Sequence, residues 1–228
     1  MKIATWNVER LKHKADLDKL LSACEDVAAD ILVLTETDQR LHPDYRFCYA
    51  TPTLMKQPIN YAPTENRISI YTNYPCVRQH PTYDADTSIC VELETEFGNV
   101  LVYGTIIGIY GNRHPSFMED LQHQADDILR LSQIGDGLCV CGDFNCSFAD
   151  NYYFTKAGRT TLLEAFEKAG LRILTEKQPE CVDHIAVSDW LVPNKDVPVE
   201  EWNMDKKLSD HKGIAVEIRS DGRDAHAK

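Results

Sequence analysis

The sequence contains no apolar run long enough to cross a membrane, since its hydrophobic stretches extend over only a few residues. A membrane-spanning helix needs about 20 consecutive apolar residues, so we expect no membrane partner. Basic residues are also scarce, because 24 lysines and arginines face 36 aspartates and glutamates, a formal charge of −12. Non-specific binding to DNA or RNA depends on neutralising phosphate charges, so a protein that coats nucleic acid is disfavoured. An acidic enzyme that meets phosphate through a divalent cation is compatible with this balance.

A secretory signal is not evident at the start of the sequence, where residues 2–7 are typical of a β-strand. The eight cysteines occur in mixed contexts, several of them inside apolar stretches. Without an export signal we expect them to be reduced core residues of a cytoplasmic protein. Cys139, Cys141 and Cys146 also admit a zinc site, but two of the three are expected to point into the core, which disfavours zinc.

The length of 228 residues and the hydrophobic content of 43% are typical of one large α/β domain. We assign the domain to residues 1–219, followed by a flexible polar tail at 220–228. Apolar runs predict strands at 2–7 and 31–34, joined through an amphipathic helix at 15–28. Further strands are predicted at 67–71, 88–94, 100–107, 138–141, 181–187 and 214–218, and further helices at 117–133 and from a capping box of Thr161 and Glu164 to Gly170.

Polar side chains occur where apolar strands start, stop or are interrupted. The run at 138–141 is followed by Gly142, Asp143 and, two residues on, Asn145. One such group alone is equally typical of a turn. Several, all oxygen or imidazole groups, indicate a shared site at a sheet edge, and oxygen-rich ligands favour Mg²⁺ or Mn²⁺ over zinc. The full set is Asn7, Glu36, Asp143, Asn145, Asp183, Asp210 and His211.

Five short motifs occur in order along most of the chain: Thr-Trp-Asn-Val at 5–8, Leu-Thr-Glu at 34–36, Cys-Gly-Asp-Phe-Asn at 141–145, Val-Asp-His-Ile at 182–185 and Ser-Asp-His at 209–211. In these motifs the sequence resembles the endonuclease/exonuclease/phosphatase family, which includes abasic-site endonucleases, deoxyribonucleases, inositol-polyphosphate phosphatases and sphingomyelinases. The resemblance implies an α/β four-layer sandwich, with two mixed β-sheets packed face to face and helices on the outside. It also implies a phosphoesterase that depends on Mg²⁺ or Mn²⁺.

The resemblance further implies roles for the strand-end residues. Glu36 matches the principal metal ligand of the family, with Asn7 and Asp210 near the cation. The catalytic residues would be Asp143, which positions and deprotonates the attacking water, and Asn145, which holds that water or a phosphate oxygen. His211 would donate to the phosphoryl oxygen, and Asp183 would orient and charge its imidazole. Phosphoryl transfer needs charge neutralisation and an in-line nucleophile more than covalent help.

The sequence departs from the family at a position that contacts phosphate in many relatives as Tyr or His. By register that position is Thr105, which can donate a hydrogen bond but carries no positive charge. Tyr103 would serve only if the register shifted by two residues. The loop at 108–115 supplies three further candidates for substrate binding, Tyr110, Arg113 and His114.

A second departure follows Asn7, where Glu9 and Arg10 replace the small or polar residues of many DNA-cleaving relatives. Arg10, Lys12, His13 and Lys14 form a small basic cluster there. Such a cluster is typical of a solvated helix entry, which we favour, or of a patch that attracts phosphate. The proline-containing segment 37–66 is predicted to be a long irregular loop that selects the substrate.

Three functions are compatible with these features. The first, which we prefer, is a metal-dependent phosphodiesterase that acts on nucleic acid as an endonuclease or exonuclease. The second is a phosphatase or phosphodiesterase that acts on a small phosphorylated molecule, which the acidic composition and modest length favour. The third is a binding module on the same fold without turnover, which the intact catalytic set disfavours.

Overall fold

The computed structural model describes residues 1–12, 16–57, 61–192 and 197–219. Within these residues the chain forms three α-helices, α1 (Leu17–Asp26), α2 (Phe117–Leu131) and α3 (Lys156–Lys168). It also forms twelve strands, which are β1 (Lys2–Asn7), β2 (Ile31–Asp38), β3 (Phe47–Ala50), β4 (Glu65–Thr72), β5 (Cys76–His80), β6 (Ser88–Thr95), β7 (Gly98–Ile106), β8 (Gly137–Asp143), β9 (Leu171–Ile173), β10 (Asp183–Ser188), β11 (Val199–Trp202) and β12 (Gly213–Glu217).

The strands form two six-stranded mixed sheets, in the orders β11-β12-β1-β2-β4-β3 and β5-β6-β7-β8-β10-β9. Each sheet contains one parallel pair, β1 with β2 in the first sheet and β7 with β8 in the second. The connection within each parallel pair carries a helix, α1 or α2, and the other pairs are antiparallel. The two sheets therefore share the same arrangement of strands. This arrangement is the pseudo-two-fold relation that is compatible with the order of elements along the sequence.

The four layers follow from the alternation of side chains along the central strands. In β2, Ile31 and Val33 point into the core between the sheets, whereas Leu32 and Leu34 pack with α1. In the second sheet, the outward face of β7 and β8 packs against α2 and α3. Both faces of these strands are buried, which explains why they read as continuous apolar runs. The prediction of a four-layer sandwich is confirmed.

Helix α3 begins earlier than the sequence predicted. Thr155 has an extended backbone, and its Oγ1 accepts a hydrogen bond from the amide of Gly158 at 3.1 Å, so it caps the helix. Thr161 and Glu164 lie inside the helix, so the predicted capping box is wrong. Gly170 follows the helix end in the left-handed region (φ 65°), as expected for a terminating glycine.

The segment 37–66 also differs from the predicted irregular loop. It contains the end of β2, all of β3, a 3₁₀ turn at Leu54–Lys56 and the start of β4. Part of the basic cluster, His13 and Lys14, and the predicted tail at 220–228 lie outside the described residues.

The eight cysteines are free thiols, and six of them are buried. The prediction of core residues is wrong for Cys48, which is exposed, and for Cys76, which is half-buried. Among the described residues, no helix is both long and apolar enough to cross a lipid bilayer.

Candidate active site

Side chains from both sheets meet at one edge of the sandwich. Asn7 ends β1, Asp143 ends β8 and Asp183 begins β10. Asp183 lies directly opposite Asp143 in the antiparallel pair of β10 and β8. His211 lies in the segment before β12 and reaches Asp183, 28 residues away in sequence. The strand ends thus bring together two carboxylates, an amide and an imidazole, as the sequence predicted for the edge of a sheet.

Asp143 is a buried carboxylate whose two oxygens are each held by a donor. Its Oδ2 accepts from Asn7 Nδ2 at 3.1 Å, and its Oδ1 accepts from the backbone amide of Asn145 at 2.8 Å. Burial raises the pKa of Asp143 to about 7 against the opposing effect of His211, and the nearby charge of Asp183 raises it further. A carboxyl with this pKa accepts a proton near neutral pH.

The imidazole of His211 forms a short ion pair with Asp183. The distance from His211 Nδ1 to Asp183 Oδ2 is 2.6 Å, and the Asp183 side chain is only 2% exposed. Burial by itself would lower the pKa of His211, but the attraction and the hydrogen bond of Asp183 outweigh it and raise the pKa to about 10. The imidazole is therefore protonated at neutral pH, and its Nε2 carries a proton on the side away from Asp183.

Asn145 turns the chain after β8. Its backbone lies in the left-handed region (φ 49°), which asparagine tolerates better than most residues. Its Nδ2 donates to the carbonyl oxygens of Ile107 (3.0 Å) and Gly108 (3.3 Å). Because two carbonyl oxygens bind the nitrogen, the orientation of the amide is fixed, and Asn145 presents its Oδ1 as an acceptor.

A second asparagine, which sequence reasoning missed, shapes the segment that carries His211. Asn203 Nδ2 donates to the carbonyl oxygens of Ser209 (2.8 Å) and His211 (2.7 Å), and its Oδ1 accepts from the amide of Leu208 at 3.1 Å. Trp6 Nε1 donates to the same His211 carbonyl at 3.0 Å. These bonds hold the backbone of His211 in the position from which its ring contacts Asp183.

The predicted metal ligands are accompanied by another carboxylate, Glu9. Its Oε2 accepts from the amide of Asp210 at 3.2 Å, and its backbone amide donates to Asn7 Oδ1 at 2.9 Å. Glu36 lies nearby, because its charge acts on both Asp143 and Lys12. Asp210 is largely exposed, whereas Asn7 is buried. Glu9 went unrecognised because the family resemblance offered small or polar residues at its position.

The donor chemistry of this cluster fits a hard divalent cation, since it consists of carboxylate and amide oxygens without sulfur. Lys12 Nζ lies 2.5 Å from Glu9 Oε1, and the hydrogen bond to Glu9, together with the charges of Glu9, Asp210 and Glu36, raises its pKa. The carboxylates of Glu9, Asp210 and Glu36 thus create a negatively charged site. The ammonium group of Lys12 lies beside it and contacts Glu9. In the described part of the chain, no three Asp, Glu, His or Cys side chains form a ready-made metal cage.

The predicted substrate-binding residues lie outside this cluster. Thr105 is fully buried, and its hydroxyl contacts Gln124 of α2, so the structure directs it to the helical layer and contradicts the expectation that it meets phosphate. Arg113 and His114 are exposed, and Tyr110 is 56% exposed with its ring 4.9 Å from that of His114. None of these three residues lines the cavity that contains Asp183 and His211, and Tyr110 lines a different cavity together with Gly108 and Asp120.

A cavity of about 380 Å³ contains Asp183 and His211 in its lining. Four of the residues that line it belong to the predicted site, namely Asn145, Asp183, Asp210 and His211. The other lining residues were not predicted, and of these only Val182 lies in one of the five motifs. They are Tyr152, Tyr153, Glu180, Val182, Lys206 and Lys212.

Two stacked mixed sheets with carboxylate, amide and imidazole groups gathered at one edge define a class of hydrolases that act on phosphate esters. The chain belongs to the endonuclease/exonuclease/phosphatase family, whose sequence model matches residues 4–211. The resemblance drawn from the five motifs is confirmed. Among curated proteins, none matches this sequence significantly.

Solved structures of the family share the fold across nearly the whole chain. The 3′ phosphatase NExo from Neisseria, bound to a product DNA hairpin, is 19% identical with a TM-score of 0.70 and matches 96% of this chain and 99% of its own. An AP endonuclease from Archaeoglobus fulgidus is 13% identical with a TM-score of 0.70 and the same two coverages. The AP endonuclease LMAP from Leishmania major is 16% identical, with a TM-score of 0.71, and matches 96% of this chain and 87% of its own.

Proposed function

We propose that the protein is a phosphodiesterase that depends on Mg²⁺ or Mn²⁺ and cleaves nucleic acid by attack of water on phosphorus. The observation that carries this proposal is the pairing of a buried carboxyl, Asp143, with a protonated imidazole, His211. Asp143 can accept a proton near neutral pH, while His211 stays protonated and can donate a hydrogen bond to developing negative charge. General base and general acid of this kind are what hydrolysis of a phosphate ester requires.

Each catalytic residue then has a role that its contacts support. Asp143 takes the proton of the attacking water, and Asn145 Oδ1 accepts a hydrogen bond from that water, because its amide nitrogen is already bound by Ile107 and Gly108. Of the two roles predicted for Asn145, holding water is therefore favoured over holding a phosphate oxygen. His211 Nε2–H donates to a phosphoryl oxygen, and Asp183 keeps the ring charged and aligned.

Glu9, Glu36, Asp210 and Asn7 are the residues that would hold the divalent cation. When bound, the cation would neutralise charge on the phosphate. Its carboxylate ligands also explain how an acidic protein can accept an anionic substrate, since their negative charge is offset where the phosphate binds.

Nucleic acid is favoured as the substrate because family members of the same fold include an enzyme bound to a DNA hairpin and AP endonucleases. A small phosphate ester is the second candidate, since the charge of −12 and a cavity of about 380 Å³ suit a compact ligand. Salt dependence separates the two, because rising salt should strongly weaken binding of an oligonucleotide and hardly affect a small ester. Free thiols throughout the chain suit a reducing compartment, so we propose a cytoplasmic location.

The test is hydrolysis of labelled single- and double-stranded DNA and of an aryl phosphodiester, with Mg²⁺, Mn²⁺ or EDTA. We expect metal-dependent cleavage that falls by about 100-fold or more in Asp143→Asn. Asp44→Asn changes an exposed carboxylate that does not line the cavity, so it is the matched control and should keep full activity. Cleavage of the aryl ester alone would move the substrate to small phosphates. Absence of cleavage with either metal would favour a binding module.

A further inference from the structure

The lining of the cavity includes a lysine that lies against an aromatic ring. Lys206 Nζ donates to the hydroxyl oxygen of Tyr152 at 3.2 Å and lies 4.9 Å from the centre of the Tyr152 ring. Both residues line the same cavity as Asp183 and His211. A cation held over a ring in this way is attracted by the negative face of the π-system. A positive charge therefore lines the same cavity as the imidazole of His211.

The backbone on both sides of this pair is fixed before any ligand binds. Lys206 has a left-handed backbone (φ 53°), and its amide donates to the carbonyl oxygen of Asn203 at 2.9 Å. The amide of Tyr152 donates to Asp150 Oδ1 at 3.0 Å, and the other Asp150 oxygen accepts from the amide of Glu180 at 2.7 Å. A non-glycine residue in this strained region persists only where its surroundings hold it there. The backbones that carry Lys206 and Tyr152 are thus held in place by hydrogen bonds within the loops.

The charge of Lys206 is only weakly compensated. Glu180 Oε2 lies 3.9 Å from Lys206 Nζ and its side chain is 66% exposed, so the pair is screened by water. The other lysine of the cavity, Lys212, is buried and donates to Pro179 and contacts Glu201. Lys206 is therefore the lysine of the cavity that can meet an incoming anion.

We propose that Lys206, held by Tyr152, binds the phosphate next to the scissile phosphate of a nucleic-acid strand. This inference rests on the proposed function and specifies its substrate as a strand with at least two neighbouring phosphates. A volume of about 380 Å³ lies at the lower end of the range for small-ligand sites. It suits a single nucleotide unit between the two phosphates. Lys206 is a specificity residue and Tyr152 a positioning residue.

The experiment compares Lys206→Met with Lys207→Met, a neighbouring lysine that is 79% exposed and does not line the cavity. The substrates are a labelled oligonucleotide, the same strand with an uncharged methylphosphonate on either side of the scissile linkage, and an aryl phosphodiester. We expect Lys206→Met to raise KM for the oligonucleotide about tenfold with kcat unchanged, and to leave the aryl ester unaffected. Methylphosphonate on one side should reproduce the loss in the parent protein. Lys206→Arg should largely restore KM.

A binding measurement separates this inference from the proposed chemistry. In the Asp143→Asn background, anisotropy of the labelled oligonucleotide reports affinity without turnover, and Lys206→Met should lower the slope of log K against log salt by about 0.7. This result would support the subsite even if the parent protein cleaved nothing, in which case only the proposed function fails. Equal effects of Lys206→Met and Lys207→Met, or an equal loss on the aryl ester, would overturn the subsite.

Discussion

The ring of His184 is fully buried next to Asp183 in sequence, and its titration should destabilise the fold in acid. Its Nε2–H donates to the carbonyl oxygens of Cys146 (3.0 Å) and Cys181 (3.2 Å), and its Nδ1 accepts from the hydroxyl of Thr175 at 2.9 Å. Burial lowers the pKa of His184 from its ordinary value of 6.5 to about 4. The folded protein therefore keeps this ring neutral where the unfolded chain already binds a proton.

The sign and size of the effect follow from linkage. Above pH 6.5 neither state is protonated, so the contribution is constant. Between pH 6.5 and about 4 only the unfolded state gains the proton, so the free energy of unfolding falls by about 1.4 kcal/mol per pH unit. From pH 7 to pH 5 the loss due to His184 amounts to about 2 kcal/mol.

The assay is urea unfolding at pH 7, 6 and 5, followed by tryptophan fluorescence, for the parent protein and His184→Gln. The glutamine amide can donate to the same carbonyls but does not titrate. Carboxylates protonate in both proteins, so the difference between their free energies isolates His184. We expect the advantage of the parent protein to shrink by about 2 kcal/mol between pH 7 and pH 5. Parallel curves for the two proteins would refute the reasoning.

Three other substitutions test the local geometry. Gly142→Ala should lower the free energy of unfolding by about 3 kcal/mol or more in urea titrations, because a Cβ there would lie 2.0 Å from the Thr105 carbonyl oxygen at a left-handed φ of 138°. Thr155→Ala should cost about 1 kcal/mol in the same assay, because helix α3 loses its cap. Asn203→Ala should reduce kcat for the cleaved phosphodiester by about 10- to 100-fold and shift the pH profile, because the carbonyl oxygen of His211 loses a hydrogen-bond donor. An unchanged kcat and an unchanged pH profile would contradict the positioning role of Asn203.

Matched control variants test the predicted causes for Gly142→Ala and Thr155→Ala. Gly170 also has a left-handed backbone (φ 65°), but no atom lies within 4 Å of a Cβ added there. Gly170→Ala should therefore lower the free energy of unfolding by only about 1 kcal/mol. A loss in Gly142→Ala no larger than this would show that close approach to Thr105 is not the cause. Thr160→Ala changes an exposed threonine inside α3 and should be nearly neutral. An equal loss in Thr155→Ala and Thr160→Ala would contradict the capping role.

The central strands could be predicted because strands that are buried on both faces consist mainly of apolar residues. Strands β1, β2 and β8 are buried on both faces and read as apolar runs. The short strands β3, β5, β9 and β11 were missed. Strands β3 and β11 are partly exposed, and Val77 in β5 is 53% exposed. Such strands form because a neighbouring strand offers hydrogen bonds, which local composition does not record.

The same limit applies to the site. Asn7, Asp143 and Asp183 end or begin buried strands, so their meeting at one edge could be inferred from topology. Asn203 and Lys206 lie on a loop whose shape depends on bonds to its own backbone, and no pattern marks them. Thr105 was misjudged because a strand buried on both faces gives no sign of which side faces the site.

The order of strands in the first sheet makes the candidate site depend on the last strand that the structure describes. Strand β1 lies between β2 and β12, and Ser209 donates to the carbonyl oxygen of Asn7 across 202 residues of sequence. A chain interrupted before residue 209 lacks both His211 and β12, so one edge of β1 is left without its partner. During synthesis, the growing polypeptide therefore carries an incomplete candidate site, and the unpaired edge of β1 can pair with other chains. The candidate site is complete only after β12 has joined the first sheet.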